Sequence, residues 1–273
     1  MSFTRSLRLG ILSLGALLFL APYIFMLSTA AKSQQDIFSS SLSLIPHNWA
    51  LWDNLTKAVT RVPMGLLLFN GVVICTLVLV VQVVVAIPCA YAMAKLNFRG
   101  QRAMMIMVML GLLVPIHATA LPFYVGFDKL GVLNTYFSLG APFIISVFGI
   151  FLFLQFFRAI PDDLISDARL DGMSEAGIVM RVIVPNAWPA ITAFSIFSVV
   201  SHWNDLFWPL IVVNGMDRAT PPLGLLYFRA AEAGDDNWAL MAATLIITLP
   251  LLMAFLAAQR RFIEGITLTG LKG

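Results

Sequence analysis

Six apolar runs, each long enough to cross a lipid bilayer, constrain this chain more than any other feature. They cover residues 9–31, 66–94, 104–126, 137–157, 190–213 and 239–258. A spanning helix needs about 20 apolar residues. Backbone in lipid has no water to bond, so it closes its own hydrogen bonds in helices or closed barrels. Runs of this length are therefore read as helices. The expected fold class is an all-α membrane protein of six transmembrane helices, one membrane domain over residues 1–273, with a long polar segment at 158–189 between the fourth and fifth spans. The composition agrees: the chain is 60% hydrophobic and 11% charged, against about 25% charged in soluble domains.

Arg5 and Arg8 precede the first run, which continues from Leu9 to Ala31. The apolar core of a secretory signal is about 7–15 residues, so the longer run is read as an uncleaved first span. Cys75 and Cys89 fall in one predicted helix. Fourteen residues at 1.5 Å rise put them about 21 Å apart, too far for a disulfide. Both are read as packing residues, and no cysteine–histidine spacing suggests a metal.

Lysines and arginines in the loops set orientation. Arg5, Arg8, Lys95, Arg99, Arg102, Arg158, Arg169, Arg181, Arg260, Arg261 and Lys272 fall in one set of segments, and Lys32, Lys57, Arg61, Lys129, Arg218 and Arg229 in the other. Eleven against six places both termini in the cytoplasm. Segments 32–65 and 214–238 then face outside, with Trp49, Trp52 and Trp238 suited to an interfacial belt. The net charge of +3 is small and no basic block points to nucleic acid. No phosphate-binding loop, nucleophile elbow or zinc-protease motif is present, which leaves enzyme readings with little support.

Prolines interrupt several spans: Pro88, Pro115, Pro122, Pro142, Pro209 and Pro250. Such residues mark kinks or breaks whose freed carbonyls need other partners. Pro115 and Pro122, with His117 between them, make a discontinuous third span plausible. Ionisable groups within spans raise functional suspicion. Asp205 is the one carboxylate well inside a predicted helix, and His202 three residues earlier lies on roughly the same face, close enough to pair. Trp203, Asn204 and Trp208 flank them. This face reads either as a solute path, with indole rings stacking on a sugar and Asn and Asp taking hydroxyls, or as a polar contact that locks helices. Asn70, Gln82, His117, Thr119 and Gln155 are further polar candidates, for which helix contact is the commoner use.

The polar segment has its own local logic. Pro161 suits a first helical position, and Asp162 and Asp163 then meet the positive end of the helix dipole. A short helix runs toward Asp171, and Gly172 can take the positive φ of a C-terminal cap. Ser174 can cap a second short helix with Glu175 in its first turn. That helix is expected to end before Pro185, which disfavours helix at the residue preceding it. Asp163, Asp167 and Asp171 fall at i, i+4 and i+8, forming an acidic ridge. Leu164, Ile165, Ala168 and Leu170 supply apolar contacts. The ridge is either a solvated face or a surface that meets basic groups on a partner.

The segment Leu164-Ile165-Ser166-Asp167-Ala168-Arg169-Leu170-Asp171-Gly172-Met173-Ser174, closed by Val182-Ile183-Val184-Pro185, resembles the coupling loop of binding-protein-dependent ABC importers. In the carbohydrate branch that loop commonly reads L-I-E-A-A-R-I-D-G-A-S. Gly172 and Pro185 stand at the family's spacing. The leading glutamate of the motif is Ser166 here, with an acid one place later at Asp167. His202-Trp203-Asn204-Asp205-Leu206-Phe207-Trp208-Pro209-Leu210 is similar to the W-N-[DE]-F-x-W-P-L segment of carbohydrate permeases. The stretch from Gln259 to Thr267, with Lys272-Gly273, is similar to their closing segment.

The resemblance covers most of the chain and is nearest in type to the second permease of such importers, similar to those for maltose or glycerol-3-phosphate. It implies a multi-pass subunit of the bacterial inner membrane, embedded in lipid and working with a second permease subunit, two ATPase subunits and an extracytoplasmic solute-binding protein. It implies no cofactor bound by this chain, with ATP and Mg held by the ATPase subunits. The coupling residues it implies are Asp163, Ser166, Asp167, Ala168, Arg169, Asp171, Gly172, Ser174 and Pro185. His117, His202, Trp203, Asn204, Asp205 and Trp208 stand as candidates for the solute path or a helix interface. The alternatives are an ion-coupled carrier or channel acting without an ATPase, or an intramembrane enzyme built on His202 and Asp205.

Overall fold

The computed structural model of the chain describes residues 3–33, 36, 43–228 and 237–270, with side chains for 5–33, 36, 43–228, 237–257 and 259. Expectations for Arg229, Arg260, Arg261, Lys272 and the other side chains of the closing stretch beyond Gln259 lie outside the described residues. Among those described, helices joined by turns and loops make up the structure, with no strand and one isolated β-bridge between Lys32 and Trp49.

The helices are α1 (Phe3–Ala31), α2 (Leu51–Arg61), α3 (Met64–Lys95), α4 (Gln101–Leu113), α5 (Ile116–Lys129), α6 (Tyr136–Gly140), α7 (Val147–Arg158), α8 (Asp162–Leu170), α9 (Glu175–Ile178), α10 (Trp188–Trp203), α11 (Phe207–Val212), α12 (Pro221–Leu226) and α13 (Asn237–Gly270). Residues 5–31, α3 and residues 237–257 are each long and apolar enough to span alone. Three bent pairs bring the possible total to six: α4 with α5 at 96°, Tyr136–Phe143 with α7 at 44°, and Glu175–Asn186 with α10 at 80°.

The bends follow local chemistry. Val114 precedes Pro115 and is extended, at φ −81° and ψ 114°, as a residue before proline prefers. The chain therefore breaks between α4 and α5, while Pro122 is accommodated inside α5. A 3₁₀ turn at Ala141–Phe143 follows α6, and Ser146 then starts α7 by accepting the Gly149 N–H at 3.0 Å. The expected single helix over 190–213 is instead α10 and α11 with a break at 204–206.

Two compact units divide the chain, Met1–Leu66 with Leu223–Pro250, and Leu67–Pro222 with Leu251–Gly273. In the first, Asn54 is buried and donates to the carbonyls of Ala30 and Lys32 at 2.8 and 2.9 Å, pinning α2 to the end of α1. Trp49 and Trp52 are exposed, but Trp238 is buried, so the expected interfacial role of Trp238 gives way to packing.

The second unit holds the main core. Phe153, Phe157, Phe194, Ile178 and Ile183 lie in it together with Ala86, Ala90 and Met93 of α3. In lipid, such contacts act through close packing rather than through water exclusion. Gly149 is required for this approach: a Cβ there would sit 2.7 Å from the Phe194 ring. Cys75 and Cys89 are both free thiols on α3.

Candidate functional site

The polar segment forms a capped helix pair. Pro161 is the residue before α8, at φ −58° and ψ 136°, one place earlier than expected, and Asp162 and Asp163 occupy the first turn. At the other end the chain closes a Schellman motif. Met173 N–H donates to Ala168 O and Gly172 N–H to Arg169 O, both at 3.0 Å. Gly172 takes φ +77°. Ser174 then caps α9 by accepting the Gly177 N–H at 3.2 Å.

The expected stop before Pro185 is corrected. Val184–Asn186 remains helical, because the preceding residues Val179–Ile183 form a π turn. Val184 N–H reaches back five residues to Val179 O, and the wider turn shifts the hydrogen-bond ladder past the proline that cannot donate. Bonding of the α type resumes when Ala187 N–H donates to Ile183 O at 2.9 Å.

The faces of α8 divide clearly. Ile165 and Ala168 are buried in the main core, while Asp163, Leu164, Ser166, Asp167, Leu170 and Asp171 are exposed. The acidic ridge therefore has two members on the helix and a third, Asp171, at its C-cap. Arg169 bends away to Glu175, Nε to Oε1 at 2.8 Å.

Two residues of α3, unmarked in the sequence reading as parts of this site, complete it. Tyr91 donates its hydroxyl to Glu175 Oε2 at 2.5 Å. Lys95 donates to Asp162 Oδ1 at 2.5 Å and to Ile160 O at 2.6 Å. Their signal was a pair of polar-tipped residues four apart at the end of a long apolar helix. The Arg169 guanidinium, and after it the Tyr91 hydroxyl, hold the Glu175 carboxyl below its ordinary value of 4.5.

A second constellation surrounds a cavity of about 240 Å³ lined by Ile116, His117, Phe143, Ser201, His202, Asp205 and Phe207. The break at Pro115 places His117 in the first turn of α5, where its ring lies 4.4 Å from that of Phe207. His117 also borders a neighbouring cavity of about 370 Å³ with Ala120, Leu121, Tyr124 and Ile211.

Asp205 is not inside a helix, contrary to expectation. It sits in the break between α10 and α11, and its Oδ1 accepts the Trp208 N–H at 3.3 Å, one of the donors left free at a helix start. The expected pairing of His202 with Asp205 is replaced by a bond between His202 Nδ1 and its own helix, at 2.7 Å from Ser198 O. A carbonyl can only accept, so this nitrogen carries the proton.

The other candidates are held by the protein itself, Asn204 from an exposed position on its own helix. Asn204 Nδ2 donates to Val200 O at 2.8 Å. Trp203 is buried, and Trp208 is buried with its indole N–H on Ser138 O at 2.9 Å. A ring so enclosed is unavailable for stacking on a solute. Gln82 joins three elements, donating to Phe143 O at 2.9 Å and accepting from Ser198 Oγ at 2.7 Å. Asn70 donates to Asp217 O and Ala219 O at 3.1 and 2.9 Å and accepts the Tyr136 hydroxyl at 2.6 Å. The sites therefore separate into a capped helix pair with exposed acids and a histidine–carboxylate cavity. Among the described residues, no group of His, Cys, Asp and Glu could hold a metal ion.

Residues 82–267 match the family model described as binding-protein-dependent transport system inner membrane component. The chain is 28% identical over 255 residues to the arabinooligosaccharides transport system permease protein AraQ of Halalkalibacterium halodurans, covering 92% of this chain and 91% of the relative. It is 29% identical to the sn-glycerol-3-phosphate transport system permease protein UgpE of Pectobacterium atrosepticum, with 93% of each chain covered. It is 28% identical to the lactose transport system permease protein LacG of Rhizobium radiobacter, covering 94% and 92%. Its fold is similar to that of a chain in the crystal structure of a bacterial ABC transporter involved in the import of the acidic polysaccharide alginate, at TM-score 0.81 and 20% identity, covering 96% of this chain and 99% of that one.

Proposed function

This chain belongs to the family of binding-protein-dependent transport system inner membrane components, and from that membership we propose that it is the permease subunit of an ATP-driven importer for a sugar or sugar-like solute. The observation that carries the reading is the family match across 82–267, a range that contains the whole capped helix pair. The solute class rests on relatives whose names specify arabinooligosaccharides, sn-glycerol-3-phosphate and lactose.

In this reading the chain forms half of a translocation path with a second permease, and both termini lie in the cytoplasm. ATP and Mg are held by two ATPase subunits, consistent with the lack of a phosphate-binding loop here. A solute-binding protein delivers cargo at the outer face. The exposed side of α8 presents Asp163, Asp167 and Asp171 beside Leu164 and Leu170, which suits an ATPase cleft with apolar walls and a basic rim. Ser166 cannot carry an acid's contact, and the adjacent Asp167 carries it instead. ATP-driven closure moves this helix pair and tips the permease pair between inward and outward openings. A bias of a few kcal/mol between the two states is enough to drive the change. The cavity of His117, His202 and Asp205 lies on the solute path.

The test is affinity purification from native membranes followed by reconstitution. An importer subunit brings an ATPase and a second permease with it, and uptake into liposomes requires ATP. Replacing Asp167 and Asp171 together with Asn releases the ATPase at lower salt than wild type does. Solute flux by the chain alone, without ATP, would sink the reading.

A further inference from the structure

α3 outruns the lipid. Its 32 residues at 1.5 Å rise make a rod about 48 Å long, against a hydrocarbon core of about 30 Å. Tyr91 and Lys95 occupy its last two turns and, four residues apart, share one face. Each of them catches a different helix of the capped pair.

Lys95 takes the start of α8. Its side chain is only 4% exposed, while that of its partner Asp162 is 82% exposed, so the ammonium is drawn under the loop rather than into solvent. It bonds both Asp162 Oδ1 and Ile160 O. Tyr91 takes the start of α9. Its ring is 3% exposed, within the main core, and its hydroxyl meets Glu175. Arg169, near the end of α8, grips the same carboxylate with Nε and a terminal nitrogen, at 2.8 and 3.3 Å. The bonds close a circuit from α3 to α8, from α8 to α9, and back to α3. Below it, Ile165, Ala168 and Ile178 pack in the same core as Ala90 and Met93 of α3.

We infer that Tyr91 and Lys95 are positioning residues that fasten the capped helix pair to α3, so that the pair and the second span move as one lever. The inference rests on reading α8 and α9 as the ATPase-docking element. Motion of that element then reaches the membrane directly through α3, in addition to the covalent continuation into α7 and α10. Contacts to an ionised group are stronger than neutral ones and are lost abruptly when one partner is removed.

The test uses the full chain in its purified complex, with Tyr91→Phe, Lys95→Met and Lys95→Arg. Phe retains the buried ring and Met the apolar stem, so the variants remove the polar grips alone. Two readouts are needed. Amide hydrogen exchange over Asp162–Ile178 is expected to quicken about tenfold in Tyr91→Phe and Lys95→Met, with the middle of α3 unchanged. Uptake per ATP hydrolysed is expected to fall about threefold or more while the ATPase stays bound, and Lys95→Arg should recover most of it. If Lys95→Met does not fold, Asp162→Ala removes the same pair from its exposed side, deleting the acceptor as well as the charge. Exchange at the wild-type rate in the variants, or full coupling with both grips removed, overturns the inference. If the wild-type complex shows no solute-stimulated ATP hydrolysis, the importer reading fails. The exchange result then still decides whether the helix pair is fastened to α3.

Discussion

The indole N–H of Trp208 donates to the main-chain carbonyl of Ser138, seventy residues earlier, at 2.9 Å. The residue four places after Ser138 is Pro142, which has no N–H to return to that carbonyl. Trp208 thus supplies the donor that the proline withholds. Its ring is 1% exposed and meets Phe123 and Phe127 edge-on at 6.3 and 6.2 Å. Replacing Trp208 with Phe keeps most of the ring and deletes the donor, leaving a buried acceptor unpaired. The expected loss is about 1–3 kcal/mol, read as a lower unfolding midpoint in detergent, whereas a solute-stacking role would move uptake and leave stability alone.

Asp205 separates two roles that the sequence merges. One oxygen serves the N–H of Trp208 at the start of α11, and the residue also lines the histidine cavity. Asn supplies the same acceptor, so Asp205→Asn is expected to keep thermal stability, while Asp205→Ala lowers it by about 1 kcal/mol. On the proposed solute path, Asp205→Asn raises the solute concentration needed for half-maximal uptake. Calorimetric unfolding beside uptake titrations distinguishes the two effects.

Gly172 is needed for its backbone rather than for space. Its φ is +77°, and a Cβ built there meets nothing within 4 Å. Gly172→Ala therefore introduces conformational strain without a clash, about 1–2 kcal/mol for an L-residue in this region. Gly172→Asn should be milder, since Asn tolerates left-handed backbone. Limited proteolysis between α8 and α9 should rank cleavage as Ala above Asn above Gly.

The Arg169–Glu175–Tyr91 group sets a pH limit on the helix pair. Glu175 is held below its ordinary value of 4.5, first by Arg169 and then by Tyr91. A depressed carboxyl contributes its stability in full above the unfolded value and loses it as pH falls through the folded one. A spin label at Ser166→Cys should show constant mobility from pH 8 to about 5 and rising mobility below about 4.5. With Glu175→Gln the mobility should be raised at every pH. The pair is partly exposed, 42% and 49% by side chain, so the effect is local and screened by salt.

These relationships share one cause. Helices in lipid cannot leave backbone carbonyls unpaired, and this chain breaks its spans repeatedly. Gln82 serves Phe143 O, Asn70 serves Asp217 O and Ala219 O, and Lys95 serves Ile160 O. Several polar residues that look like ligands in the linear sequence, Asn70, Gln82 and Trp208 among them, are used to close such breaks. His117, His202 and Asp205 are the candidates that retain a face on a cavity.

The amino-acid sequence by itself determined the helical class, because runs of some 20 apolar residues have few other folds in lipid. It also determined the caps of the polar segment, since Gly172 and Ser174 act on their own neighbours within a few residues. Only the tertiary structure decided where α10 stops, how the π turn carries helix past Pro185, and which polar groups face a cavity. Which polar groups are taken up by packing depends on partners distant in the chain, such as Ser138 for Trp208 and Asp162 for Lys95. Hydrophobic periodicity encodes which face is buried but not which distant carbonyl lacks a donor, and that is settled only when the helices pack.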